Sequence, residues 1–415
     1  MDRHRSLAAC FVSLIIVGAL VACTPTPAIS GASNTPPAKE TAISSVQPSA
    51  TNTALPTITP SPKPTQTPQP SPTPGLPPQV LASNPIDGDL SMQLDRPLIL
   101  VFDQPVDQAS LADSLSISPT AEVTIAWPAP DRVTITAKEG WTADAYDIVL
   151  KEGMRSISGV EMAAAFQFSF EMGGHGVPVP ILMYHNIKDL DNESDVSESQ
   201  LAWTVRDTAF KEQMYYLRDN GWHTVSPKML IAYFAGEPLP TKPVIITMDD
   251  AWVSLLNRAW PIFMETGLRP IAYVVAEFPT YGTETDYLVW DQLRALVAEG
   301  MWIGCHSFGH VSLYQLPADE LQHEVFDGRQ EIEQQLGVTL DSFSYPFGAY
   351  GDTVVAEVQA AGFTSAVTLN PVGYQDPAEP FRLNRLQVAY QTTMEEFKEL
   401  VNGRLGRMIY IKGGS

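Results

Sequence analysis

Val244-Ile245-Ile246-Thr247-Met248-Asp249-Asp250 is an apolar run that stops on two carboxylates. A run without polar alternation reads as a strand buried on both faces, as in a parallel sheet covered by helices. A second run, Met301-Trp302-Ile303-Gly304-Cys305, stops on His306-Ser307-Phe308-Gly309-His310. In both, the chemistry arrives at the carboxyl end of a strand, the face on which parallel α/β barrels carry their active sites. Further strand-like runs at 181–183, 224–226, 271–275, 343–345, 364–369 and 385–390 alternate with amphipathic stretches at 207–217, 291–299, 318–336 and 353–361. This alternation predicts an α/β domain over 177–406, a distorted parallel (β/α) barrel of seven or eight strands.

Two carboxylates and two imidazoles at strand ends are the parts of a divalent-metal site with a spare base beside it, which suggests metal-assisted hydrolysis. Successive side chains diverge where the strand ends, so Asp249 and Asp250 are free to take different tasks. An Asp pair in this position can also cap a helix beginning at Ala251, and it is the histidines that tip the reading toward metal. Spacing of i, i+4 puts His306 and His310 on one side of a helical turn or compact loop. One carboxylate with two imidazoles leaves coordination positions open and suits Zn2+, with Co2+, Ni2+ or Mn2+ as alternatives.

Outside this region the chain of 415 residues changes character three times. Arg3, His4 and Arg5 precede an apolar run at 7–22, too short for a dedicated membrane span and suited to an export signal. It ends Leu20-Val21-Ala22-Cys23, which resembles the lipobox of bacterial lipoproteins. The expectation is a signal over 1–23 with lipid on Cys23 and anchoring to the outer side of the cell membrane; an ordinary signal peptide is the alternative. Residues 24–78 hold many of the 35 prolines and no apolar periodicity, a composition that predicts a disordered Pro/Ser/Thr-rich stalk. Short alternating runs separated by turn residues over 79–172 predict a β-sandwich. Its string NPIDGDLSMQLDRPLILVFDQPVD resembles the bacterial Ig-like domain of surface proteins. No cluster of chemically active residues marks this module, which leaves a spacer or a weak glycan contact. Gly173-Gly174-His175-Gly176 reads as a flexible joint.

Of the three cysteines, Cys10 lies in the signal, Cys23 would carry lipid, and Cys305 stands alone, so the mature chain forms no internal disulfide unless Cys23 is unmodified. Strand alternation points Cys305 away from the face of His306, as a buried thiol rather than a thiolate ligand. The formal net charge of −22 disfavours nucleic acid and other polyanions as partners.

TMDD, HSFGH and Phe343-Ser344-Tyr345-Pro346-Phe347-Gly348 stand in the order and spacing of the polysaccharide deacetylases, the NodB-homology domain of carbohydrate esterase family 4, and LVWDQLRALVAEGMWIGCHSFGH is similar to that family as well. The resemblance implies that Asp249 is the catalytic base, that Asp250, His306 and His310 hold the metal, and that the backbone N–H of Phe347 donates to the oxyanion. The chain departs from the pattern in three places. Ser344 stands where many members carry an arginine that orients the base; Ala251 stands where they carry glycine; and the final segment Arg382-Leu383-Asn384-Arg385-Leu386-Gln387-Val388 lacks the histidine that protonates the leaving amine. In a closed barrel the first strand lies beside the last, so His185, closing Met183-Tyr184, is the candidate acid, and Arg385 the candidate for orienting Asp249. The string P-x-L-M-Y-H resembles the opening of one subgroup of the family. Trp252, Tyr184, Phe347 and Trp290 are candidates for an apolar wall against sugar rings.

The expected function is removal of N-acetyl groups from an N-acetylglucosamine-containing polysaccharide. Rival readings are an O-acetyl esterase on the same fold and a non-catalytic glycan-binding lipoprotein.

Overall fold

A computed structural model describes residues 75–190, 197–282 and 286–402. The expected signal, Cys23 and nearly all of the stalk lie outside the described residues. No helix among the described residues is long and apolar enough to cross a membrane.

Residues 75–172 form two facing antiparallel-rich sheets. One joins Val80–Asn84, Leu98–Phe102, Arg132–Ala137 and Val123–Ala129; the other joins Asp89–Met92, Phe166–Met172, Ala145–Leu150 and Leu115–Ser118. Alternation drives the fold: Val133, Ile135 and Ala137 point inward while their neighbours do not. Trp141, Tyr146 and Phe170 fill the space between the sheets, with ring centroids 5.1 to 5.5 Å apart.

The second part is a parallel sheet of seven strands in one path. In chain order they are β1 (Ile181–Tyr184), β2 (Pro243–Asp249), β3 (Ile271–Val274), β4 (Trp302–Cys305), β5 (Ser342–Ser344), β6 (Ser365–Val367) and β7 (Leu386–Gln387), arranged β6-β5-β4-β3-β2-β1-β7. Every residue of β2 is buried, as its unbroken apolar run requires. The expected strand at 224–226 shrinks to His223–Thr224, which pairs with only the first two residues of β2 and stays off the path. The two ends of the path approach each other through a parallel bridge from Val367 to Leu383, with Thr368 N–H donating to Leu383 O at 2.8 Å, so the sheet curls into a distorted barrel. The stretch 318–336 is not one helix: a π-helical turn at His323–Asp327 separates Ala318–Gln322 from Gly328–Leu336.

The glycine-rich segment does not behave as a free joint. Leu90 N–H donates to Gly176 O at 2.8 Å, and a Cβ on Gly174 would lie 2.4 Å from Leu90 O, so the chain is pressed against Asp89–Met92. The two parts are also clamped directly. Leu239–Pro240, from the barrel, pairs antiparallel with Ala82 and Ser83 as an extra strand of the Ig-like sheet. Tyr233, buried on helix Pro227–Phe234, bonds through its hydroxyl to the Asp89 carboxylate and accepts from Ile86 N–H at 3.0 Å. Arg96 donates to Phe234 O at 2.8 Å and Asn84 to Glu237 O at 3.0 Å. These contacts meet the barrel at its amino-terminal end, beside Pro180 and Pro243, where a cavity of ≈ 560 Å³ lies between the two parts.

Candidate active site

At the carboxyl end of the barrel the seven candidate residues line a single cleft of ≈ 240 Å³, joined by Trp203, Tyr345 and Leu369. Asp249 closes β2 and is buried. Arg385, itself only 1 % exposed, places Nη1 2.8 Å from each oxygen of that carboxylate. The guanidinium is fully engaged in turn: Nε donates to Thr368 O at 2.9 Å, Nη1 to Thr247 Oγ1 at 3.2 Å and Nη2 to Ser344 Oγ at 3.1 Å. Ser344 hydroxyl closes the circuit by donating to Asp249 Oδ2 at 3.3 Å. The arginine missing from the third motif is thus supplied from the approach to β7, and the serine in its place is short enough to leave room for it. Burial alone would raise the Asp249 pKa, but Arg385, with His306 and His185, outweighs it and holds the carboxyl below its usual range.

Such a buried pair is costly to break from one side. Arg385→Met should destabilise the protein by about 3–5 kcal/mol, because it strands Asp249 without a partner. Urea unfolding of the variant would measure this, and a loss under 1 kcal/mol would show the pair to be energetically idle.

Asp250, His306 and His310 come together as a second group, with one ligand atom from each within 4.8 Å of the others. His306 Nδ1 lies 2.8 Å from Ser344 O, a group that only accepts, so the ring proton sits on Nδ1 and the Nε2 lone pair faces the cleft. Nε2 of His306 and of His310 lie 3.5 and 3.4 Å from Asp250 Oδ1. Burial lowers the pKa of both rings, that of His306 to about 4, so they are neutral donors at ordinary pH. Asp250 Oδ1 is buried and accepts no hydrogen bond, the single carboxylate oxygen of this kind among the described residues. Two neutral imidazoles converging on a bare carboxylate oxygen are a donor set that fits a divalent cation.

The HSFGH segment is a compact loop rather than a helical turn. Ser307 and His310 take left-handed conformations, with φ of 66° and 58°. Buried Glu324, on the π-helical turn, accepts from Phe308 N–H at 3.1 Å and Gly309 N–H at 2.9 Å, and Gly328 lies where a Cβ would come within 2.8 Å of Phe308 N. Asp250 and Ala251 are left-handed too, at 68° and 56°, so Ala251 does not begin a helix; it sits in a turn where glycine would be easier. Phe347 shares this strain at φ 58°, yet its side chain is 62 % exposed, with its ring 4.6 Å from that of His310.

His185, just past β1, places Nε2 3.9 Å from Asp249 Oδ2 and lies beside the last strand, which pairs with β1 through Gln387 and Met183. Trp203 packs its ring on His185 at 4.8 Å. Sequence reasoning missed Trp203, which follows a stretch with no periodicity. Of the four wall aromatics only Phe347 lines the cleft. Tyr184 is a core residue bonded to Gln213 at 2.9 Å, Trp290 packs against the core, and Trp252 turns its indole N–H to Asp250 Oδ2 at 3.1 Å. Cys305 is buried outside the cleft, with burial pushing its pKa up to about 12, and stays a thiol.

A parallel barrel with an Asp–Asp–His–His cleft at its carboxyl rim gathers the groups that metal-assisted hydrolysis requires. Residues 236–366 match the family model described as polysaccharide deacetylase, and residues 75–172 that described as bacterial Ig-like domain. The chain therefore carries a polysaccharide deacetylase domain behind a bacterial Ig-like domain. It is 24 % identical over 212 residues to a putative polysaccharide deacetylase, YxkH, of Bacillus subtilis (strain 168), covering 51 % of this chain and 71 % of that one. It is 35 % identical over 82 residues to the poly-beta-1,6-N-acetyl-D-glucosamine N-deacetylase of Escherichia coli (strain K12), covering 20 % of this chain and 11 % of that enzyme. Among solved structures, the Streptococcus pyogenes deacetylase PplD in complex with acetate aligns with a TM-score of 0.49 at 25 % identity, over 55 % of this chain and 99 % of that one.

Proposed function

We propose that the protein is a metal-dependent hydrolase that removes N-acetyl groups from an N-acetylglucosamine-containing polysaccharide. The observation that carries this reading is the pairing, in one cleft, of a carboxylate locked by Arg385 with a separate Asp-His-His group that ends on a bare oxygen. Asp250, His306 and His310 would hold the cation, with zinc as the default. A bound divalent cation would polarise the acetyl carbonyl and make water easier to deprotonate. Asp249, kept ionised and outside the ligand group, takes the proton of the attacking water, a role worth about 100- to 10,000-fold. The Phe347 N–H would donate to the oxygen on which charge develops, and one such donor is worth roughly 3 kcal/mol. His185 gives a proton to the departing amine. Trp203 and Phe347 bound the entrance with aromatic faces suited to a sugar ring.

The same proposal covers the rest of the chain: a signal over 1–23, lipid on Cys23, a stalk over 24–78, the Ig-like module over 79–172 and the catalytic domain over 177–406. An Ig-like module of a type found in bacterial surface proteins agrees with an extracytoplasmic place.

Acetate release from defined N-acetylglucosamine oligomers, with and without chelator, tests the reading. Chelator-sensitive release is expected; binding of oligomer without release, or release from O-acetylated sugars alone, would overturn it. His306→Ala and His310→Ala should each lose most of the bound metal while keeping the fold, since three ligands become two. Metal analysis showing unchanged stoichiometry would remove these residues from the site.

A further inference from the structure

We propose that Trp252 is a positioning residue for the metal group: its indole N–H occupies one oxygen of Asp250, so that the carboxylate presents the other oxygen alone. The inference rests on the metal reading above and concerns a side chain that sequence reasoning placed against sugar.

Three observations converge. Trp252 Nε1 lies 3.1 Å from Asp250 Oδ2, while Asp250 Oδ1, the oxygen facing His306 and His310, accepts no hydrogen bond. A carboxylate with one oxygen held by an N–H has lost freedom to rotate, and that oxygen is a poorer donor to a cation than the unbonded one. Next, the chain adopts two successive left-handed residues, Asp250 and Ala251, without a glycine between them. This turn folds residue 252 back over residue 250, in a conformation that L-residues other than glycine adopt only at a cost. Finally, the turn is braced from the far side. Ala251 O accepts from Leu288 N–H at 2.9 Å, Val253 N–H donates to Asp286 O at 2.7 Å, and the Trp252 ring packs on Tyr287 at 4.8 Å. The 286–288 segment therefore holds the indole at the angle its N–H needs.

Groups that orient a metal ligand typically change metal affinity by about 10- to 100-fold when removed. Trp252→Phe keeps an aromatic ring against Tyr287 and deletes the N–H. With full-length protein, chelator competition should show zinc bound 10- to 100-fold more weakly, and the cobalt-loaded form should change its visible spectrum as Asp250 gains freedom to offer both oxygens. Should Trp252→Phe fold poorly, 3-benzothienylalanine at position 252 keeps the fused ring and replaces N–H by sulfur; the same loss is expected from it. Zinc affinity equal to the parent's in a folded variant, together with an unchanged cobalt spectrum, would overturn the proposal and reduce Trp252 to packing. Failure of the parent protein itself to bind zinc or cobalt would instead sink the metal reading, so the two failures are distinguishable.

Discussion

Asp249→Asn should keep bound metal and lose turnover by about 100-fold or more, in line with removal of a general base. Asn retains the shape and one acceptor oxygen for Arg385, so the cleft keeps its outline, but the guanidinium is left buried without a counter-charge and the variant should melt at a lower temperature. Asp250→Asn makes the contrast. Its carboxylate has no guanidinium partner and ends on the bare oxygen, so the loss should fall on metal affinity first. Metal titration and acetate release on both variants separate the roles, and indistinguishable behaviour would mean that the two carboxylates act as one unit. Because Asp249 is held below the usual carboxylate range, it stays ionised in the parent as pH falls through that range. The acid limb of its kcat/KM profile should therefore not be set by an ordinary aspartate.

His185→Ala should suppress amide turnover strongly and spare an activated aryl ester. An amine leaves poorly without a proton, whereas an aryl oxide with an acidic conjugate acid needs none, and proton donation of this kind is worth about 100- to 10,000-fold. His185 lies outside the candidate ligand group: its Nε2 is 3.9 Å from Asp249, and the converging group is made by Asp250, His306 and His310. Metal content should hold. Parallel losses on both substrates, or loss of metal, would make His185 structural or a ligand and place the acid elsewhere.

The barrel and its loaded rim were legible because continuous apolar strands ending on Asp or His leave a strong local pattern. Arg385 was reachable through topology, since the last strand must return beside the first. Other parts were hidden. Glu324 and Trp203 act through contacts with residues 15 to 18 positions away, and nothing in their own neighbourhood marks them; Ser344 stood out only as a departure from the motif, and its contacts with Arg385 and Asp249 were not visible from it. Ala251 misled for a different reason: glycine is the residue that signals a left-handed turn, and here an alanine occupies one, held by the 286–288 segment. The joint at 173–176 read as flexible because glycine composition reports freedom in the unfolded chain, not the close approach to Leu90 that uses it.

The two-residue strand Leu239–Pro240, sewn into the Ig-like sheet, has a mechanical consequence. With Tyr233 gripping Asp89 from the adjacent helix, the sandwich and the rear of the barrel are joined by both strand pairing and a buried side-chain bond, so load on one is shared directly with the other. Parallel strands put that rear at one end and the cleft at the other. The mouth consequently opens on the side of the barrel opposite the seam with the Ig-like sheet, so a long polymer can lie across the cleft without meeting that seam.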